Sequence, residues 1–471
     1  MAKYCYDFDY STLSTSITRS ELPADLSINF ENSSVETLES CAEEQDSMDA
    51  PLISVPRDRH YFVFSTFFLL GICSLLPWNF FITANDYWMY KFRNVSSNTS
   101  YDPNHKNFLQ TAFTSYLAIA NNVPFIFILF LNPFFCYKIP EKIRNGGSLV
   151  GTSLVFCVIT AFIKIPTEAW QSTFFAITMF LVCLISVMSG VFQGGVAALA
   201  AIFPAKYMYA VMTGQAVAGI ISSLSEILSL LNDGRPTDSA LGYFMCAILI
   251  IVCAKACYFI MHKTAFFRYH IIKVESFSEK PGIPKLATVN IKLIISIFKK
   301  IWIECMTSML IYWVTLSIFP AICVLVLSKN YKSGDPWDQI YFLPVCCFLL
   351  FNVSDFVGRT ICKWISVSSR WLLLSLSVIR IVYIPLFMMC NTRPRSVLPA
   401  IFGDVEYIVL IVTLGITNGA ICTLAMMVGP KRVASNFKEI AGFILVAFLG
   451  AGLTLGSVFS YIIIELFFLK I

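Results

Sequence analysis

Eleven apolar stretches, each long enough to cross a bilayer as a helix, decide what this chain can fold into. About 20 consecutive apolar residues cross the hydrocarbon core of a membrane. Such runs lie near residues 61–85, 108–136, 147–166, 171–203, 207–231, 239–261, 301–328, 340–362, 371–390, 405–428 and 440–468. Several carry Gly, Pro or Asn, which membrane helices tolerate where neighbours re-satisfy the backbone. Mean hydropathy is +0.71, with 57% hydrophobic and 13% charged residues. A soluble globule of 471 residues could not be coated with so little charge. A soluble enzyme, a disordered chain and a nucleic-acid binder are all excluded. The fold class is an all-α polytopic membrane protein of eleven spans.

Charge divides the chain further. Residues 1–50 hold eleven acids against Lys3 and Arg19, in a polar stretch too poor in apolar residues to fold alone. Residues 1–56 therefore read as a disordered acidic tail. The segment 262–300 carries eight cations against Glu275 and Glu279. It divides a six-span bundle over 57–261 from a five-span bundle over 301–471. With the N-terminus in the cytosol, nineteen Lys and Arg flank the spans on the cytosolic side and ten on the other, which obeys the positive-inside rule. The C-terminus is then extracellular or lumenal. Sequons at Asn94 and Asn98 fall on that outer side and are candidate glycosylation sites. A basic loop of this kind also suits anionic headgroups of the lipid bilayer. Two bundles about a central loop suggest rocking around a site between them.

Ionisable groups inside hydrocarbon cost several kcal/mol and are functional candidates by default. Span 8 holds Phe348, Asn352, Asp355 and Arg359 at spacings that place all four on one helix face. Asp355 and Arg359 can pair one turn apart. A carboxylate accepts from hydroxyl pairs, a guanidinium donates through a planar fork, and an aromatic ring stacks on a flat ring. Such a stripe suits a ligand with a flat ring and several hydroxyls, provided that the pair faces a central void and is not enclosed by protein. Gln193 in span 4, flanked by Gly194 and Gly195, offers an amide to a heterocycle edge. Trp78, after the helix-kinking Pro77 in span 1, offers a rigid ring face. Gly214 to Gly219 in span 5 are spaced for helix packing. Glu226 is a carboxylate that could line a water path or bind protons. Arg380 and Asn418 read as ties between helices, and Asn121 and Asn122 precede Pro124 as in a broken helix. No HExxH, no Walker loop and no histidine within a span is present, so an enzyme, a metal or another cofactor is not expected.

Three ordered motifs carry a resemblance. Leu75-Leu76-Pro77-Trp78-Asn79-Phe80-Phe81-Ile82-Thr83, the span 8 stripe from Phe348 through Gly358-Arg359, and Gly429-Pro430-Lys431 before span 11 resemble the equilibrative nucleoside transporter family. The resemblance runs from about residue 57 to 470. It implies a major-facilitator-like fold in a 6+5 arrangement. It also implies sodium-independent, bidirectional movement of purine and pyrimidine nucleosides such as adenosine and uridine, with nucleobases for some members, by alternating access. By position, Trp78 and Gln193 would line the base pocket, and Asp355 and Arg359 would engage the ribose hydroxyls. Leu75, Phe319, Phe348, Asn352 and Leu453 would form the cavity or its gates. Asn122 stands where well-known plasma-membrane members carry an apolar residue, and Ser189 where some carry glycine. The acidic tail looks closest to endolysosomal members, where Leu52 and Ile53 would serve as a dileucine-type sorting signal for adaptors. Plasma membrane and late endosome or lysosome membrane both stay open. Two alternatives remain beside the facilitator: a proton-coupled nucleoside transporter of the lysosomal membrane, and a non-transporting receptor or scaffold whose polar stripe is structural.

Overall fold

The apolar runs are mainly helical in the computed structural model, which describes residues 56–93, 108–135, 138–231, 235–278, 291–331, 334–365, 369–394 and 397–467. The run expected over 301–328 leaves its α-helix at Ile318 and goes on through turns and the 3-10 stretch Cys323–Leu325. Among the described residues, eleven helical stretches are long and apolar enough to cross a membrane. They are α1 (Phe62–Thr83), α2 (Phe108–Phe135), α3 (Glu141–Lys164), α4 (Gln171–Ile202), α5 (Ala205–Leu231) and α6 (Pro236–Met261). After the connecting segment come α7 (Ile291–Ile318), α8 (Leu350–Ile361), α9 (Arg370–Ile379), α10 (Asp404–Val428) and α11 (Lys438–Phe467). α8 is the second half of its span: Trp337–Tyr341 and Leu343–Leu349 before it are π-helical. α9 runs on through a 3-10 turn, Arg380–Val382, into the short helix Tyr383–Met388. α1 and α2 stay continuous through Pro77, Pro124 and Pro133, so the break anticipated beside Asn121 and Asn122 does not form. The carbonyl of Asn121 accepts a hydrogen bond from the Ser186 hydroxyl instead.

The basic segment 262–300 is not a loop throughout. Ala265–Ser278 is a helix, and α7 starts at Ile291, ahead of the apolar run that begins near 301. Residues 291–300 hold Lys292, Lys299 and Lys300 among Ile, Leu and Phe, and the helix runs through them unbroken into the apolar run. The tail with Leu52 and Ile53, and the sequons at Asn94 and Asn98, lie outside the described residues.

In lipid the helices gain little from apolar burial alone, and close backbone approach does more of the packing. A β-carbon at Gly71 would collide with the Val211 carbonyl oxygen, and one at Gly214 with that of Phe68, so α1 and α5 touch backbone to backbone. Gly358 against the Ile416 carbonyl, and Gly419 against that of Asp355, do the same for α8 and α10.

The buried residues sort into two kinds of core. One cluster is common to both bundles: Phe67, Tyr207 and Ile251 pack in it with Ile301, Cys305, Leu424 and Leu445. It lies on the side where α6 ends and α7 begins, here the loop face. Helix Ala265–Ser278 closes it with Phe266 and Phe267, and His270 stacks on Phe203 at 4.9 Å. Toward the opposite face two further clusters form. One holds residues of α1–α6 and their connections, among them Phe81, Trp88, Phe156, Val182 and Phe244. The other holds residues of the second bundle, among them Val314, Cys347, Phe387, Tyr407 and Leu414. The two halves of the chain thus share one cluster at the loop face and contribute to separate clusters beyond it, within one compact unit over Pro56–Ile471.

Candidate functional site

Asp355 and Arg359 sit where the common core gives way to the two separate ones. The π-helical stretch before α8 is a geometry often found at functional sites. α8 then resumes regular spacing, which puts Arg359 one turn below Asp355, with Arg359 Nε donating to Asp355 Oδ2 at 2.7 Å. The contact between Gly419 and the Asp355 backbone draws α10 close enough for Asn418 Nδ2 to donate to Asp355 Oδ1 at 2.6 Å. Arg359 reaches across to the other bundle. Its Nη1 donates to the Met212 carbonyl at 2.6 Å and to Gln215 Oε1 at 3.4 Å, both on α5. Nη2 lies 3.5 Å from the Tyr312 hydroxyl on α7. Gln215 Nε2 in turn donates to Ser74 Oγ on α1 at 3.2 Å.

The sequence asks for a pair that faces a void. Here Asp355 is 4% exposed and Arg359 3%, with protein on every side. In this conformation the pair joins the two bundles, and any ligand meeting it must displace the α5 partners. A second tie lies two turns away, where Asn352 Nδ2 donates to Ser223 Oγ on α5 at 2.9 Å and to the Phe348 carbonyl at 2.9 Å. A β-carbon at Gly219 would press on the Asn352 amide, which would have to shift to make room.

The other candidates spread around this seam. Phe319 stacks on Phe351 at 4.1 Å and meets Phe348 edge-on at 5.7 Å, on the second bundle's side. Trp78 lies parallel to Phe81 at 5.9 Å, and with Leu75 packs against the first bundle's separate core. Gln193 is buried in α4, next to Gly194, whose added β-carbon would strike Asn132 of α2 and press on Phe443 of α11. Leu453 packs against the common core. Asn122 accepts from its neighbour Asn121 at 3.2 Å and is half-buried. Glu226 continues the α5 stripe of Gln215, Gly219 and Ser223 toward the face opposite the loop, where it is half-buried. The structure therefore joins Asp355, Arg359 and Asn352 through α5. It also adds Gln215, Ser223, Tyr312 and the Met212 carbonyl, which the sequence does not single out. A lone amide in an apolar run was the one available signal for Gln215.

The loop face is held by charge as well as by packing. Arg144 of α3 pairs with Glu439 of α11 at 3.0 Å, and its guanidinium lies 4.9 Å from the Phe443 ring centre. One turn earlier Glu141 accepts from the Tyr258 hydroxyl, and its other oxygen is 2.9 Å from His262 Nε2. The segment between the bundles therefore starts tethered beside the inter-bundle ion pair.

Comparison with known proteins gives a consistent picture. A family model described as nucleoside transporter matches residues 178–465. Over 452 residues the chain is 33% identical to equilibrative nucleoside transporter 1 of Rattus norvegicus, covering 87% of this chain and 98% of that one. It is 32% identical to equilibrative nucleoside transporter 2 of Homo sapiens, covering 86% and 98% of the two. Equilibrative nucleoside transporter 3 of Rattus norvegicus is 32% identical, with 87% and 90% covered. Among solved structures, the major facilitator transporter FucP in an outward conformation superposes with a TM-score of 0.48 at 13% identity, over 86% of this chain and 95% of that one.

Proposed function

The chain belongs to the equilibrative nucleoside transporter family, and from that premise we propose that it carries purine and pyrimidine nucleosides in both directions by alternating access, without sodium. The observation that carries this reading is the position of the Asp355–Arg359 pair, at the level where one shared core divides into two. A site that opens alternately to either side belongs at such a level. With the basic loop face toward the cytosol, a core shared by both halves of the chain at that face describes a state closed to the cytosol.

The chemistry supports a sugar at this pair. Arg359 Nη1 donates to two neutral oxygens of α5, a carbonyl and an amide. Ribose hydroxyl oxygens are neutral acceptors of the same kind and can take those places one for one. Asp355 accepts one bond on each oxygen, which leaves lone pairs for hydroxyl donors. Trp78 supplies a ring face and Gln193 an amide for the base, while Leu75, Phe319, Phe348, Asn352, Leu453 and Asn122 form the walls and gates of the path.

The test is uptake of radiolabelled uridine or adenosine into proteoliposomes, with and without a sodium or proton gradient. Saturable uptake in the absence of both gradients is expected. Arg359→Ala should lower it at least about 100-fold, the loss of roughly 3 kcal/mol expected when a charged hydrogen bond to the ligand is removed, while the protein elutes as a folded species in detergent. Uptake that requires a proton gradient would favour the coupled mechanism and turn attention to Glu226. Binding without flux would favour a receptor.

A further inference from the structure

Behind Asp355 lies a chain of buried polar groups from helices that no ligand needs to touch. Arg380, at the end of α9, donates from Nη2 to Thr315 Oγ1 of α7 at 2.8 Å and to the Leu414 carbonyl at 3.3 Å. Thr315 Oγ1 donates to Asn418 Oδ1 of α10 at 2.8 Å, and Asn418 Nδ2 donates to Asp355 Oδ1 at 2.6 Å. Arg380, Thr315 and Asn418 are 2%, 2% and 3% exposed.

The direction of this chain is forced. A guanidinium only donates, so the Thr315 hydroxyl must accept from it and has one hydrogen left to give. That hydrogen goes to the Asn418 carbonyl oxygen, which turns the Asn418 amide nitrogen toward Asp355. Asp355 Oδ1 therefore always meets a donor, while Oδ2 is held by Arg359. Two donors on the two oxygens fix the rotation of the carboxylate about its own axis. Among the described residues the Nε and Nη1 atoms of Arg380 have no hydrogen-bond partner, and its directed contacts there are those to Thr315 and Leu414. Retaining a guanidinium in the middle of a bundle for a threonine hydroxyl and one carbonyl is costly as packing. It makes sense as the fixed end of a chain that aims something.

We infer that Arg380, Thr315 and Asn418 are positioning residues that aim Asp355, and so set how strictly the transporter demands ribose hydroxyls. The inference rests on the proposed contact between Asp355 and ribose. None of the three touches substrate. They act by presenting the free lone pairs of Asp355 in one orientation, which matters for a substrate that donates from its 2′ and 3′ hydroxyls and not for one that lacks them.

The test compares uridine with 2′,3′-dideoxyuridine in proteoliposomes, for the wild type, Thr315→Val, Thr315→Ser and Asp355→Asn. Valine keeps the shape of threonine and removes the hydroxyl. The expected result is that Thr315→Val lowers uridine kcat/KM about tenfold, one lost neutral hydrogen bond's worth, chiefly through KM, and lowers that for dideoxyuridine much less. Thr315→Ser restores the wild-type ratio. Asn418→Ala, read by substrate-induced thermal shift in detergent, replaces Thr315→Val if the latter does not fold. If both substrates fall equally, or neither changes, while Asp355→Asn does collapse the uridine preference, the relay is wrong and the ribose contact stands. If Asp355→Asn leaves the preference intact, the ribose contact is wrong and the relay falls with it.

Discussion

Asp355 and Arg359 are individually expensive residues in a membrane interior, and their value lies in each other. Removing one partner of a buried ion pair strands the other charge and typically costs about 3–5 kcal/mol, whereas replacing both with apolar residues of similar volume is often neutral. Asp355→Leu should therefore melt well below the wild type in detergent, and so should Arg359→Met. The double variant should recover much of that loss while transporting no nucleoside. A double variant no more stable than either single one would mean that the pair's hydrogen bonds to Met212, Gln215 and Asn418 matter more than its charge balance. At this scale the sequence was informative only along one helix. The spacing of Asn352, Asp355 and Arg359 showed that they share a face, because periodicity is a property of a single chain segment. Gln215 stayed hidden in a run of small residues, since its task depends on Ser74 of another helix and on Arg359 of the other bundle. The Met212 carbonyl gave no signal, as every residue has one. Arg380 and Asn418 were legible as ties, which they are, but the order in which Thr315 links them was not.

At the level of elements, hydropathy located every span because the bilayer fixes a minimum apolar length. What it missed is helix that leaves the apolar zone, as in α7 from Ile291 and in Ala265–Ser278. The π-helical stretch before α8 was equally silent, being a matter of hydrogen-bond register more than of composition. The helix Ala265–Ser278 docks by aromatic contacts, with His270 stacked on Phe203 and close to Phe266. Burial, with Lys273 and Lys206 nearby, pushes the His270 imidazole below its ordinary value, against a smaller upward pull from its bond to the Phe266 carbonyl. A histidine whose pKa is lowered on docking binds its proton more readily when undocked, so the docked state weakens as pH falls. The loss should set in near the ordinary histidine value of about 6.5. Hydrogen exchange of 265–278 should accelerate at pH 5.5 relative to 7.5, once corrected for intrinsic chemistry, and His270→Phe should abolish the difference. Equal exchange in the wild type at both pH values would show that the imidazole contributes nothing to docking.

At the scale of the whole molecule, the proposed alternating access makes the loop face the closed gate, with two components. The apolar component is the cluster that both bundles share. The ionic component is separable. Arg144 and Glu439 come from different bundles, and Arg144 is nearly sealed from solvent while Glu439 is partly open. Truncating one partner of a buried charge pair across an interface costs about 2–5 kcal/mol. Each 1.4 kcal/mol changes the ratio of closed to open states about tenfold. Arg144→Glu places two carboxylates across the gate and should slow the closing step of the transport cycle. Uptake into proteoliposomes should drop steeply, and so should uptake by Glu439→Arg. Because the pair acts between bundles and not within either, the exchanged variant Arg144→Glu with Glu439→Arg should regain most of the rate. The regain stays partial, since the guanidinium leaves its place over Phe443. An exchanged variant as slow as the single ones would show that these charges serve the folding of their own bundles, and closure of the loop face would then rest on the shared apolar core alone.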